Sequence, residues 1–229
     1  MKHQRHYDNN FQMQFWSGFH DSINTSYLRG FFDAEGSIRK TKPHISLGNT
    51  DIELMERIID LLCAIGFKVS VRNKTTPSNA VPYCEIDIFG FAQVYEWFSL
   101  IGSCLERKIA NWEAINKSYP YRNSLAYDLG IPQWRIDADY MRGFFDGEGS
   151  LVYTPRTHSI RLRIAITDYE LLFNIHKFLV GLGLPFAFRD NPSANKGNKR
   201  IWSVDIGNFG LVEKWFDIIG TSSSKHLHR

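Results

Sequence analysis

At 229 residues the chain is long enough for one large domain or two small ones, and either can bury a core. With 43% hydrophobic and 22% charged residues it is neither a fibrous nor a disordered chain. No run approaches the roughly 18 apolar residues of a membrane span, and the polar stretch 1–10 carries no secretory signal. Three cysteines, Cys63, Cys84 and Cys104, are too few and too irregular for a disulfide framework, and no paired Cys/His spacing suggests zinc. An intracellular, reduced protein is expected. The net charge of +3 says little by itself, so the placement of the Lys and Arg residues has to carry any inference about partners.

After an N-terminal extension over 1–22, rich in aromatics (Phe11, Phe15, Trp16, Phe19), the first clear element is a helix over 26–35. Asn24, Thr25 and Ser26 are its candidate N-caps, and Gly36 is its candidate C-terminal stop. Two strands follow, near 37–42 and 44–49. Apolar residues Ile52, Met55, Ile58, Ile59 and Leu62 then recur at helical spacing over 51–65, closed by Gly66. Strands near 68–74 and 83–89 and a helix around 92–100 complete the unit.

The pattern then repeats. YLRGFFDAEGS (Tyr27–Ser37) recurs as YMRGFFDGEGS (Tyr140–Ser150), which sets Glu35 opposite Glu148 at an offset of 113. Thr50-Asp51 recurs as Thr167-Asp168, Gly66 as Gly183, and Trp97-Phe98 as Trp215-Phe216, the offset growing only to 118. Such register implies a duplicated α-β-β-α-β-β-α fold of α+β class. Each half, 23–116 and 138–229, is then built on a four-stranded antiparallel sheet, and 117–137 reads as a linker.

In the repeated motif Gly30 and Ala34, and in the second copy Gly143 and Gly147, leave one helix flank bare. Two such helices can approach closely, because no side chains hold their backbones apart. That packing brings Glu35 and Glu148 together at two helix C-termini. A carboxylate there faces the negative pole of the helix, a cost of roughly 0.3–1 kcal/mol, and a second carboxylate adds repulsion. Breaking a local rule twice at equivalent positions points to function. A hard divalent cation with oxygen ligands, completed by unpaired helix-end carbonyls, resolves the conflict.

LRGFFDAEG (Leu28–Gly36) and MRGFFDGEG (Met141–Gly149) resemble the paired motifs of the LAGLIDADG homing endonucleases, and the resemblance spans both repeats. It implies a pseudo-symmetric monomer whose sheets form a saddle on the major groove of double-stranded DNA. It further implies hydrolysis of one phosphodiester in each strand with Mg²⁺, for which Mn²⁺ can substitute. The metal-binding acids fall on Glu35 and Glu148, the ligating backbone on Ala34 and Gly147, and Asp33 and Asp146 become structural. A lysine after the last helix of each half, placed to stabilise phosphate charge, falls on Lys108. In the second half strict register from Gly102 and Gly220 offers His226, so choosing Lys225 takes a one-residue gap. A polar residue ending the second strand is also usual; Asn49 fits, but its counterpart is Ile166.

The strands supply a surface independently of that resemblance. Lys68, Ser70, Arg72 and Lys74 alternate with Val69 and Val71. Arg161 and Arg163 alternate with Leu162 and Ile164, and His44 and Ser46 with Ile45 and Leu47. Arg39, Lys40, Arg156, Arg189, Lys196, Lys199 and Arg200 fall on neighbouring strands or turns. A basic two-stranded ribbon fits the major groove, and lysines in turns suit phosphates. Glu85, Asp87 and Asp205 share the polar face, either to accept from cytosine or to temper the charge. The expected function is a site-specific double-strand DNA endonuclease of the kind carried by mobile introns. The alternatives are an RNA maturase working on intron RNA and a DNA-binding regulator that does not cut. Met1 at the start and His-Leu-His-Arg at the end favour a free-standing protein over one embedded in an intein.

Overall fold

Asn24 and Asp137 each turn a side-chain oxygen onto the backbone N–H three residues on, and so start the two repeated helices. The first, α1, spans Thr25–Glu35 and leads into β1 (Ser37–Ile38) and β2 (His44–Asn49). Asp51 caps α2 (Ile52–Ala64), which is followed by β3 (Ser70–Thr75), β4 (Pro82–Phe89), α3 (Phe91–Leu100) and α4 (Glu106–Ser118). The second half runs α5 (Ala138–Glu148), β5 (Gly149–Thr154), β6 (Ser159–Ile166), α6 (Tyr169–Gly181), β7 (Ala187–Asn191), β8 (Ile201–Ile206) and α7 (Phe209–Ile218). A 3₁₀ turn over Ser224–His226 closes it. These elements come from a computed structural model that describes residues 18–75, 81–118, 134–154, 156–191 and 200–226.

Both sheets are antiparallel and four-stranded, ordered β1-β2-β4-β3 and β5-β6-β8-β7. One face of each is apolar and lies under its own helices. In the first half Ile45, Leu47, Ile86 and Ile88 meet Phe32, Trp97 and Phe98. In the second Leu162, Ile164 and Val204 share a core with Phe145, Phe186 and Trp215. Each half therefore has its own core, and α1 and α5 join them. A Cβ on Gly30 would fall on the Tyr140 carbonyl oxygen and lie 2.9 Å from the Phe144 nitrogen, while one on Gly143 would fall on the Tyr27 carbonyl oxygen. The bare flanks read from the sequence are thus the contact itself.

Several elements differ from the sequence expectation. The first half carries an extra helix, α4, whose buried stripe is Lys108, Trp112 and Ile115. Its first member is a lysine, so apolar periodicity does not reveal it. Trp112 stacks on Phe98 at 5.1 Å between centroids, which anchors the helix to the core. The first strand is only two residues long, which leaves Arg39 and Lys40 exposed in the following turn. Lys68 precedes β3 rather than belonging to it, and β3 is an edge strand exposed along its whole length. Val71 is consequently 43% exposed, not part of an apolar underside. Gly36 ends α1 in extended rather than left-handed backbone (φ −84°, ψ 159°). Its small size matters because a side chain there would strike the Phe32 ring, and Gly149 stands in the same relation to Phe145.

Of the N-terminal aromatics, Phe19 packs partly against the second core, and Gly18 and His20 exchange backbone hydrogen bonds with Thr221. Phe11, Phe15 and Trp16, most of the expected linker, and Lys196 and Lys199 lie outside the described residues.

Candidate active site and nucleic-acid face

Where α1 and α5 end, a Cβ on Gly147 would press into the Ala34 methyl and lie 3.0 Å from Cγ of Glu35. Helix ends this close set Glu35 and Glu148 side by side, each still open to solvent on one edge. Asn49, buried at the end of β2, donates to Glu35 Oε1 at 3.2 Å and accepts from the Asp51 N–H at 3.0 Å. The surrounding protein desolvates the Glu35 carboxyl, and the Glu148 charge adds to that. Together they push its pKa up to about 7, against the partial opposition of Lys225 and Lys108. Desolvation raises Glu148 as well, with Lys108, Lys225 and Arg107 pulling it back.

Two carboxylates at helix ends, where the last backbone carbonyls lack an intrahelical partner, offer the oxygen donors that a hard cation takes, and positive charge between them would remove their mutual repulsion. Among the described residues no cluster of three or more His, Cys, Asp or Glu is present, so these two acids with backbone oxygens are the set to consider.

A pH dependence follows with a definite sign. Glu35 binds its proton more tightly folded, at about 7, than unfolded, near 4.5. Metal-free stability should therefore fall as pH rises from about 4.5 to 7. Thermal melts in EDTA across that window, compared with Glu35→Gln, are expected to show a shallower slope in the variant.

The aspartates of the motif are buried and hold the two halves together, in keeping with the structural role that the resemblance implies. Asp33 is 4% exposed and accepts from Ser103 Oγ, the Cys104 N–H and, across the interface, Tyr140 Oη at 3.0 Å. Asp146 accepts symmetrically from Thr221 Oγ1, the Ser222 N–H and Tyr27 Oη at 2.8 Å. Each acid ties the turn after its own half's last sheet-packing helix to the tyrosine of the other half. Burial drives Asp146 up to about 6 despite these donors.

The lysines are corrected in detail. Lys108 is 2% exposed. Its Nζ donates to the carbonyls of Phe32 and Asp33 and lies 4.1 Å from the Phe32 ring centroid. Burial depresses its pKa to about 7. It therefore neutralises the negative end of α1 from beneath Glu35 and does not lie open to a phosphate. Lys225 donates to the Asp146 carbonyl, the counterpart of Asp33, so the one-residue gap gives the equivalent bond. His226, the strict-register counterpart of Lys108, occupies the berth beside Phe145, with ring centroids 4.4 Å apart. A helix in one half and a 3₁₀ turn in the other account for the exchange. Arg107, which the sequence reading passed over, lines a cavity with Glu148, Ala34, Ile166, Thr167 and Ile201. Its strict register with Lys225 was the available signal.

On the other face of the sheets the expected basic residues are largely pre-paired. Arg72 bonds Asp87 and sits 3.2 Å from Glu85, which also holds Lys74 and accepts from Ser46 at 3.2 Å. Arg163 and Arg189 share Asp205 at 2.6 and 3.0 Å, and Arg200 grips Asp190. The four acids, Glu85, Asp87, Asp190 and Asp205, thus temper and aim the cations. His44 is corrected: the residue is 8% exposed, its ring hydrogen-bonded to Asp87 at 2.6 Å and stacked on Phe89. It braces the face from within and is not presented to a groove. Ser70, Lys68, Arg39, Lys40, Arg156 and Arg161 are exposed, Arg161 with Arg163 in a cavity also lined by Ser150 and Gly207. No helix among the described residues is long and apolar enough to cross a membrane.

Comparison with known proteins finds the same fold. Solved structures of similar fold include a point mutant of I-SmaMI, with a TM-score of 0.53 at 15% identity, covering 87% of this chain and 86% of that one. They also include I-DmoI in complex with DNA and Mn, with a TM-score of 0.52 at 14% identity over 89% and 96% of the two chains. Full-length DUF199/WhiA from Thermatoga maritima aligns with a TM-score of 0.54 at 15% identity, covering 91% of this chain and 60% of that one. No curated protein sequence matches. The family model described as a LAGLIDADG-like domain matches residues 22–102 and again 135–220. With both repeats matched over well more than half its length, the chain belongs to the LAGLIDADG-like domain family.

Proposed function

We propose that the chain is a monomeric, divalent-metal-dependent endonuclease that breaks both strands of a specific DNA site, of the kind carried by mobile introns and acting inside the cell. The observation that carries this reading is the pairing of Glu35 and Glu148 at abutting helix ends. A fold by itself assigns no function, and a DNA-binding protein that does not cut has no need of two mutually repelling carboxylates. The I-DmoI structure with DNA and Mn adds support by analogy.

Glu35 and Glu148, with the carbonyls of Ala34 and Gly147, would hold the cations, Mg²⁺ or Mn²⁺ by their oxygen-only chemistry. When bound, such ions activate water and neutralise charge on the leaving oxygen. Asn49 fixes the Glu35 carboxylate, and Lys108 and Lys225 offset the helix poles beneath both acids. Arg72, Lys74, Arg161, Arg163, Arg189 and Arg200 would meet the duplex. The exposed turn residues Arg39, Lys40 and Arg156 are suited to phosphates, as is Lys199 outside the described residues. Binding should accordingly weaken steeply with salt, and a titration of affinity against ionic strength reads this directly. Lys108→Met, which keeps the stem and removes the charge, should slow cleavage about tenfold or more while changing affinity little.

The deciding experiment incubates the protein with a randomised duplex library in Mg²⁺ or in EDTA and sequences the broken ends. A single enriched site with a fixed stagger, seen only with metal, is the expected result. Tight, salt-sensitive binding of DNA without breakage would replace this reading by a regulator, and selective binding of intron RNA by a maturase.

A further inference from the structure

The polar faces of the two sheets carry the same arginine twice and then part company. Arg72 stands opposite Glu85, two residues before Asp87, and Arg189 opposite Ser203, two before Asp205. Each bonds that aspartate on the neighbouring strand, and both aspartates are buried. A guanidinium held by one edge on a buried carboxylate keeps a fixed direction, and its other N–H groups remain for a partner outside. Both arginine side chains are half or more exposed, so those groups reach the surface. At the end of the face farther from the glutamates the halves differ. β2 ends at Asn49 beside Glu35, so its first residue, His44, marks that far end. His44 pairs in register with Phe89 and stacks on it, and Phe89, at 55%, is the most exposed large hydrophobic among the described residues. The pairings of Ser46 with Asp87 and of Arg163 with Asp205 set the register of the second half, which puts Arg161 in the place of His44 and Gly207 in that of Phe89. Both line one cavity. Arg163 and Arg189 take the two oxygens of Asp205, and no described acid pairs with Arg161.

We propose that the DNA target is a broken palindrome. Its two halves share a guanine under Arg72 and Arg189, and they differ at a pair farther from the centre, with thymine under Phe89 and guanine under Arg161. This rests on the DNA-binding part of the reading above. The halves meet through reciprocal contacts, Gly30 on Tyr140 and Gly143 on Tyr27, which is the twofold relation of two half-sites on a duplex, so equivalent residues face equivalent pairs. An arginine fork donates to O6 and N7 of guanine, a pattern no other base presents in the major groove, and a carboxylate that already fixes the fork spares the cost of ordering it. A phenyl ring donates nothing. Against a base edge it favours the thymine methyl, and it strips water from the amino and carbonyl groups of other pairs without replacing it. The ring keeps its place because His44, itself tied to Asp87, stacks behind it. Arg161, with a glycine in the place of that ring, has room for a base edge.

The test is a binding selection on the full chain with a randomised duplex library, run in EDTA so that nothing is cut. Recovered duplexes are sequenced and aligned on their centre. Wild type should return guanine at one equivalent position of both halves, and thymine against guanine at a pair farther out. Arg72→Lys and Arg189→Lys keep the charge and lose the fork, so each should weaken the shared guanine preference roughly tenfold in one half only. Phe89→Ala should relax the outer thymine. Arg161→His with Gly207→Phe should replace the outer guanine of the second half by the thymine of the first. The graft has room, because a Cβ on Gly207 meets nothing nearer than the Ile160 carbonyl oxygen at 3.6 Å. Wild-type halves with no shared guanine, or a graft that melts like wild type and still selects guanine, would overturn the inference. Should the graft not fold, the lysine variants decide, since an unchanged guanine preference in both also overturns it. Site-selective binding in this pattern, without breakage in Mg²⁺, removes the endonuclease reading and upholds this inference. A chain that enriches no duplex removes both.

Discussion

Glu35→Gln and Glu148→Gln are each expected to lower double-strand cleavage by roughly three orders of magnitude, the scale of losing a group that stabilises charge in the transition state. Affinity for the site should hold or improve, because each substitution removes a negative charge from beneath a polyanion. The carboxamides are isosteric and both side chains keep an edge in solvent, so neither change opens a cavity. Each substitution also relieves the cost of the Glu35 carboxyl that desolvation, with the Glu148 charge added, raises to about 7, by removing either the group or that added charge, and the metal-free variants should melt slightly higher than wild type near neutral pH. Single-turnover cleavage, gel shift and calorimetry on the same preparations separate the three effects. Wild-type cleavage rates in either variant would remove that carboxylate from the mechanism.

The second large effect concerns stability. Gly30→Ala and Gly143→Ala should each destabilise the protein by about 3 kcal/mol or more, a drop of roughly 6–12 °C in melting temperature. On an isolated helix the same change would stabilise, by about 1 kcal/mol, so the sign is diagnostic. The obstacle to the new methyl is the backbone carbonyl of Tyr140 or Tyr27, which cannot rotate away as a side chain could. Relief requires the helices to part, and parting them also pulls Tyr27 Oη from Asp146 and Tyr140 Oη from Asp33. The damage should reach the site as well, because the distance between Glu35 and Glu148 is set by this packing. A melting temperature within a degree or two of wild type would mean that the halves do not depend on this seam.

Much of this was legible because the chain states its pattern twice. The repeated motif, the recurring Thr-Asp ahead of α2 and α6, and the paired Trp-Phe of α3 and α7 mark where those helices fall. The small residues of the motif identified the seam, since only bare flanks allow backbones to touch. Where reading failed, burial had been given to an unexpected residue. Lys108 begins the buried stripe of α4, so the helix is silent to apolar periodicity, and His44 alternates like a surface residue yet is covered by Phe89 and paired to Asp87.

The sequence by itself determined the duplication, the α+β architecture, the helix seam and the two glutamates, because these rest on local spacing and on residue size. Only the tertiary structure decided which lysine serves each helix end, which cations are already neutralised, and that Asn49 bonds Glu35 while Ile166 stands in its place beside Glu148. Those outcomes depend on side chains that meet across strands and halves. The last of them exists only once the end of β2 is laid beside the end of α1.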